Sequence, residues 1–208
     1  MKIVLGSSNP HKVKEINEIV SYFLPLLEER DGVRCHKLGK ITFILPPEGF
    51  DPDETGTTFA ENSLIKAKAA WELSHDWSLA DDSGLCIDAL GGKPGIYSAR
   101  YAETAPKRIE RVLKELDGVN NRKAHFICSM TLIDPSGEVA FSCEGVCEGQ
   151  IIKEAKGTNG FGYDPIFMPK GYDKTIAELP EDEKNRISHR SKALGQILEY
   201  ISMLAKQL

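Results

Sequence analysis

Two aspartates stand side by side at Asp81-Asp82, after the apolar run Ser78-Leu79-Ala80 and before Ser83-Gly84. Adjacent carboxylates at a strand end suit a hard divalent cation such as Mg²⁺, which takes one or two carboxylates together with water and substrate phosphate. A carboxylate there can also orient or deprotonate an attacking water. Neighbouring side chains of a strand point to opposite faces, so one member of the pair is expected to do both jobs. Upstream, the acidic loop Asp51-Pro52-Asp53-Glu54-Thr55-Gly56 offers a further oxygen ligand.

Two more segments concentrate useful residue types. Ser7-Ser8-Asn9-Pro10-His11-Lys12 lies where a strand should give way to a helix. Free N–H groups at a helix start, two hydroxyls and a lysine in the first turn make a sound phosphate cradle. It is not a Walker loop, because the G-x-x-x-x-G-K-[ST] spacing is absent. Further on, Phe161-Gly162-Tyr163-Asp164 is accompanied by Lys184 and by the pair His189-Arg190. An aromatic flanked by glycines can stack on a nucleobase, and Arg or His can read a base edge. Phe161 and Tyr163 could equally be core aromatics beneath a loop. Together the clusters suggest a base, a triphosphate and a metal held in one cleft.

The elements that must position these residues follow from periodicity. Lys2–Leu5 reads as a buried strand. A helix begins at Pro10, with Asn9 as N-cap and Val13, Ile16, Val20 and Phe23 at helical spacing. Lys40–Leu45 is a second strand. Thr58 and Glu61 have capping-box spacing, and the helix they start places Ala60, Leu64, Ala67 and Trp71 on one face. Ser78–Ala80 is a short strand ending in the Asp81-Asp82 turn. Thr104 caps a third helix with Ile109, Val112, Leu113 and Leu116 inward and Gly118 as its stop. Strand runs Lys123–Ile133 and Glu138–Cys147 are joined by the hairpin signal Asp134-Pro135-Ser136-Gly137. A Gly-rich loop covers 157–165, and a last helix runs from about Ser188 to Gln207. This is an α/β chain with a mixed sheet, expected as one domain over residues 1–208.

Composition excludes several alternatives. The chain has 208 residues, 41% hydrophobic and 27% charged, with a net charge of −5. That balance and the lack of a basic run argue against duplex nucleic acid, which is bound by phosphate neutralisation. No apolar stretch approaches the ~20 residues of a spanning helix, and no signal-peptide core follows Met1, so neither a membrane nor export is expected. Five cysteines without a C-x-x-C pair read as reduced thiols packing as small hydrophobes.

Six segments, in order and over almost the whole chain, resemble the inosine/xanthosine triphosphate pyrophosphatases, the non-canonical purine nucleoside triphosphatases. They are Ser7–Lys12; Glu54-Thr55-Gly56-Thr57-Thr58-Phe59-Ala60-Glu61-Asn62-Ser63 with Lys66 after it; Ala80–Leu85; Leu90–Tyr101; Gly160–Pro165; and Ile187–Arg190. The resemblance implies a long mixed β-sheet flanked by helices, two lobes around a central active-site cleft, and a cytoplasmic homodimer. It also implies hydrolysis of ITP, dITP and XTP to monophosphate and pyrophosphate, clearing deaminated purines from the nucleotide pool.

Carried over by position, Ser7, Ser8, Asn9, Pro10, His11 and Lys12 would bind the triphosphate, with Lys12 neutralising phosphate charge. Asp82 would hold Mg²⁺ and act as the base, and Ser83 would touch substrate. Phe161, Gly162, Tyr163, Asp164, Lys184, His189 and Arg190 would hold the nucleoside. The family's Glu-x-Thr-Gly metal loop is Asp53-Glu54-Thr55-Gly56 here, so the second ligand is Asp53, Glu54 or a water between them. A related pyrophosphatase for pyrimidine nucleotides and a non-hydrolysing nucleotide sensor are the rival readings.

Overall fold

A computed structural model describes residues 1–30 and 41–207. In chain order its regular elements are β1 (Lys2–Leu5), α1 (Pro10–Arg30), β2 (Thr42–Ile44), α2 (Phe59–Ser74), β3 (Ser78–Ile87) and α3 (Ala105–Glu115). They continue with β4 (Lys123–Ile133), β5 (Val139–Ile151), β6 (Phe167–Pro169), α4 (Glu181–Ile187) and α5 (His189–Gln207). The strands form one six-stranded sheet in the order β2-β1-β3-β4-β5-β6. β1 is parallel to both β2 and β3, with Ile3 opposite Phe43 and Leu5 opposite Leu79, whereas β5 and β6 are antiparallel. The expected mixed α/β sheet is therefore present. Lys40, Cys35 and His36 lie outside the described residues.

The chain divides into two compact units, with three boundaries inside strands β3, β4 and β5 and one at the first residue of α5: Met1–Asp82, Ser129–Gly145 and Arg190–Leu208 form one, and Ser83–Cys128 with Val146–His189 the other. In the first unit, Ile3, Val4, Leu5, Ile16, Ile19, Val20 and Leu79 are buried, as are Ala193, Leu194, Ile197, Leu198 and Ile201 of α5. Two of the four residues expected inward on α1, Ile16 and Val20, are among them. In the second unit, Val112 of α3 and Leu116 just past its end pack with Leu85, Ile87, Phe126, Ile166 and Phe167, and Ile109 and Leu113 close the edge of that core.

Local signals placed most element ends. Asn9 Oδ1 accepts the N–H groups of His11 (3.0 Å) and Lys12 (3.4 Å), capping α1. Thr58 and Glu61 form both arms of the capping box of α2. Thr104 caps α3 through the N–H of Lys107. The β4–β5 turn closes with the Gly137 N–H on Asp134 O at 3.0 Å.

Four expectations need correcting. β3 does not stop at Ala80 but runs on through Asp81-Asp82-Ser83-Gly84 to Ile87. Both carboxylates are tolerated inside a strand because each has cationic partners, described below. The buried face of α2 comprises Asn62, Ser63, Lys66, Ala67 and Ala70. Of the apolar face expected from periodicity only Ala67 is fully buried, and Ala60 is exposed. Here hydrogen bonding, not hydrophobicity, decides which stripe turns inward. β5 extends four residues past Cys147 to Ile151. Finally, α4 precedes the last helix. Its sequence EDEKNRI has almost no apolar period, but its acidic first turn and basic last turn complement the helix dipole.

Candidate active site

In the first unit, β3 presents Asp81 and Asp82 to different sets of partners. Asp81 Oδ2 lies 3.0 Å from Lys12 Nζ and 3.0 Å from the Arg190 guanidinium. Arg190 also bonds Glu15 of α1, and the side chains of Asp81 and Arg190 are each only 1% exposed. Burial works to raise the Asp81 carboxyl, but Lys12, Arg190 and Lys66 outweigh it and hold it well below the ordinary range. Asp81 is thus a fixed anion that anchors two cations.

Asp82 faces α2 and the acidic loop. Its Oδ1 accepts from Lys66 Nζ at 2.8 Å, and the same ammonium donates to Glu54 Oε1 at 2.8 Å. Its Oδ2 receives the Asn62 side-chain amide at 3.3 Å. Burial dominates and pushes the Asp82 carboxyl up, against the pull of Lys66 and Lys12 and with help from the nearby Glu54 charge. Lys66 moves the same way. Burial opposes its charge, yet Asp82 and Asp81 together raise its pKa. The two directions are compatible because Lys66 is served by several carboxylates, whereas Asp82 has one close ammonium and a desolvation cost.

The acidic loop is shaped by its own bonds. Glu61 Oε2 accepts from the Thr57 N–H at 2.6 Å, the Thr57 hydroxyl at 2.8 Å and the Thr58 N–H at 3.1 Å. Gly56 donates its N–H to Asn62 Oδ1 at 2.9 Å. Of the two candidate ligands, Glu54 is the one whose carboxylate joins the cluster, and the Asp53 side chain is exposed.

Among the described residues no group of three or more His, Cys, Asp or Glu is gathered to hold a metal. Two carboxylate oxygens, from Glu54 and Asp82, nonetheless converge on one cationic point, the position of Lys66 Nζ. That donor set fits Mg²⁺, which is usually held by one or two carboxylates with water and phosphate completing its shell.

Of the expected phosphate cradle, Lys12 is inward and paired with Asp81, Ser7 Oγ accepts the Asn9 N–H at 3.3 Å, and Ser8, Asn9, Pro10 and His11 are exposed. The N–H groups of His11 and Lys12 are taken by Asn9 rather than left open.

The second unit holds the other cluster. Asp164 is buried, and its Oδ2 accepts both the Phe161 N–H at 2.9 Å and Lys184 Nζ at 3.0 Å. This places the Lys184 ammonium 4.9 Å from the centroid of the Phe161 ring, within cation–π range. Gly160 has φ +76°, and a Cβ there would run into the Asp164 carboxylate, so only glycine allows this turn. Gly162 follows at φ +64°. Tyr163 is a core aromatic: its hydroxyl donates to Ser98 O at 2.9 Å, and burial drives its pKa upward. His189 is buried, its ring stacked on Phe126 at 4.8 Å. Ser83 is half-buried.

The structure therefore brings Lys12, Asp81, Asp82 and Arg190 into one charged network, and Phe161, Asp164 and Lys184 into another cluster. Glu15, Asn62 and Lys66 carry the first network without having been assigned roles from the sequence. The available signal was helical spacing, since Asn62 and Lys66 are four residues apart and hence on one face of α2. The thiols play no part. The four described cysteines form no disulfide, and burial pushes Cys86 up and Cys143 to about 12.

Comparison with known proteins places these residues in a wider set. The Ham1 family model matches residues 3–200. A dITP/XTP pyrophosphatase of Oceanobacillus iheyensis is 44% identical over 206 residues, covering 96% of this chain and 98% of the relative. One from Synechococcus sp. is 43% identical, covering 93% and 86%. Among solved structures, a HAM1 protein from Coxiella burnetii aligns over 100% of both chains with TM-score 0.79 and 39% identity. The Staphylococcus aureus Ham1 protein aligns with TM-score 0.80 and 35% identity, over 97% of this chain and 98% of that one.

Proposed function

The chain belongs to the Ham1 family, and on that premise we propose that it is a nucleoside triphosphate pyrophosphatase. It hydrolyses the non-canonical purine nucleotides ITP, dITP and XTP to monophosphate and pyrophosphate; its relatives are named dITP/XTP pyrophosphatases. The observation that carries this reading is the convergence of Glu54 Oε1 and Asp82 Oδ1 on Lys66 Nζ, each at 2.8 Å. A buried carboxylate and a half-buried one sharing a lysine have the composition of a phosphoanhydride-cleaving centre.

Glu54 and Asp82 would hold Mg²⁺, which when bound supplies Lewis-acid charge to phosphate oxygens. Asp82 takes the proton of the attacking water. The water oxygen bonds to phosphorus while the α–β bridging bond breaks, and pyrophosphate leaves with the electron pair. A carboxyl raised by burial is better matched to that proton transfer than an ordinary one. Lys12 at the head of α1 neutralises triphosphate charge, and Ser7 to His11 surround it. Phe161 stacks on the base with Lys184 beside it, and His189, Ser83, Gly162 and Asp164 complete the nucleoside side, while Tyr163 supports that loop from the core. A 6-oxo group gives a buried donor such as Lys184 an acceptor, whereas the amino group of adenine leaves that donor unpaired. Arg190 contributes through Asp81, where its guanidinium lies.

The family resemblance also supports a homodimer in the cytoplasm. No helix among the described residues is long and apolar enough to cross a membrane, and the net charge of −5 is unsuited to duplex nucleic acid.

The test is incubation of the purified protein with ITP, XTP, GTP and ATP, with and without Mg²⁺, followed by chromatography of the products. Monophosphate and pyrophosphate from ITP and XTP, requiring metal and sparing ATP, are expected. Diphosphate plus phosphate would put the cut at the wrong anhydride, and no turnover of any triphosphate would overturn the reading.

A further inference from the structure

Asn62 is a polar residue with no solvent exposure at all, one position past the capping box of α2. A side-chain amide has one acceptor end and one donor end. Its acceptor end is fixed independently, because Oδ1 takes the Gly56 N–H at 2.9 Å and a backbone N–H can only donate. The donor end is therefore the one that faces Asp82 Oδ2 at 3.3 Å. The fit is close: a Cβ on Gly56 would sit 2.5 Å from Asn62 Oδ1, so glycine is required for the approach.

The consequence lies in what the two ends join. Gly56 is two residues beyond Glu54, so the acceptor end secures the loop that carries one carboxylate of the cluster. The donor end occupies one oxygen of Asp82, leaving the other, Oδ1, to Lys66. Asn62 and Lys66, four apart on α2, thus grip both oxygens of one carboxylate and fix its plane. Without the amide, Asp82 keeps its ammonium partner but loses its second fixed point.

We propose that Asn62 is a positioning residue of the hydrolytic centre, holding the Asp82 carboxylate in its working orientation and tying it to the Glu54 loop. The proposal rests on the reading of Asp82 given above. Asn62 touches neither substrate nor metal in this role. It acts through Asp82, and the geometric demands of catalysis make a misdirected carboxylate costly.

Two variants test it. Asn62→Asp keeps the volume and the acceptor for Gly56 but replaces the donor facing Asp82 with another acceptor. Its kcat for ITP should fall roughly 100-fold, the scale of a small misplacement of a reacting group, with KM changed less than about threefold. The second variant exchanges the pair, Asn62→Asp together with Asp82→Asn, which restores one donor opposite one acceptor. It should recover most of the melting temperature lost in Asn62→Asp while remaining inactive. Asn62→Asp retaining more than half of the wild-type kcat would overturn the proposal. So would an exchanged pair no more stable than Asn62→Asp alone. The melting comparison needs no turnover and decides the 62–82 contact even if the first variant folds poorly. Absence of ITP hydrolysis by the wild-type protein, by contrast, would overturn the reading of the centre itself.

Discussion

Asp81 and Asp82 are the same residue type, one position apart on one strand, and their surroundings drive them in opposite directions. Asp81 is the more deeply buried, yet its carboxyl is held well below the ordinary range, because Lys12 and Arg190 both lie 3.0 Å away. Asp82 is less buried, yet its carboxyl is raised, because desolvation is set against one close ammonium that is shared with Glu54. Depth alone therefore does not decide the protonation state. The number of cations per carboxylate does. The Asp81 face is an electrostatic anchor, and the Asp82 face is a carboxylate kept receptive to a proton.

The largest expected effect breaks the Asp82 face. Asp82→Asn should lower ITP turnover by about 10³-fold or more, the upper range for loss of a general base, while circular dichroism and melting stay near wild type. Substantial remaining turnover would take the base role from Asp82. The complementary substitution, Arg190→Ala, should act mainly on stability, since it leaves Asp81 and Glu15 buried without their guanidinium. Removing one partner of a buried pair costs about 3–5 kcal/mol, and a change of melting temperature under about 2 °C, equivalent to less than 1 kcal/mol at this chain length, would dissolve the contrast between the faces.

Acid sharpens the same comparison. The folded-state pKa of Asp81 is depressed, so its stabilisation is fully present above about pH 4, the ordinary aspartate value, and is lost as pH falls through the depressed one. Asp82 has the opposite sign: its raised value means that the folded state gains relative stability as pH falls through it. Denaturant melts between pH 6 and about pH 3 should thus show a shallower acid loss in Asp81→Asn than in wild type, with the sign tied to the depressed carboxyl. An identical acid limb in both would mean that Asp81 is not the anchor.

In the second unit the corresponding carboxylate is Asp164, which accepts from the Lys184 ammonium and from the Phe161 N–H. Asp164→Asn keeps an acceptor for the N–H but no charge for Lys184, so the KM for ITP should rise roughly tenfold, about 1.4 kcal/mol, the lower end for losing a charge-assisted hydrogen bond. Steady-state kinetics with an unchanged KM would show that the position of Lys184 does not depend on that charge.

Much of this was legible in the sequence, for physical reasons that can be assigned. Caps declare themselves locally: Asn9-Pro10, Thr58-x-x-Glu61 and Thr104 each marked the start of a helix, because the bonds they make span only two or three residues. The strand alternation that separates Asp81 from Asp82 was equally local. The inner face of α2 was not legible. Periodicity assumes that buried means apolar, and Asn62, Ser63 and Lys66 are buried because partners distant in sequence satisfy them: Asp82, Thr131 and Glu54. The same limitation hid the continuation of β3, whose carboxylates look like a turn until Lys12, Arg190 and Lys66 are placed around them. It also made Arg190 look like a base reader, since nothing in the pair His189-Arg190 announces Glu15, 175 residues earlier.

The smallest effect probes how separate the two faces are. Thr58 caps α2 by accepting the Glu61 N–H at 3.1 Å, and the Glu61 carboxylate holds Thr57 and Thr58 in return. That box lies beside the loop bearing Glu54 and Gly56, on the Asp82 side. Thr58→Ala should cost about 1 kcal/mol, or roughly 2–4 °C of melting temperature in a chain of this length. The cost should come with a reduced kcat, because the loop that Asn62 secures through Gly56 is loosened at its other end. The acid limb assigned to Asp81 should keep its shape, since that carboxylate is held by Lys12 of α1 and Arg190 of α5. If Thr58→Ala flattened that limb as well, the faces would be one cooperative network, and the opposite behaviour of Asp81 and Asp82 would belong to the network rather than to the cations beside each carboxylate.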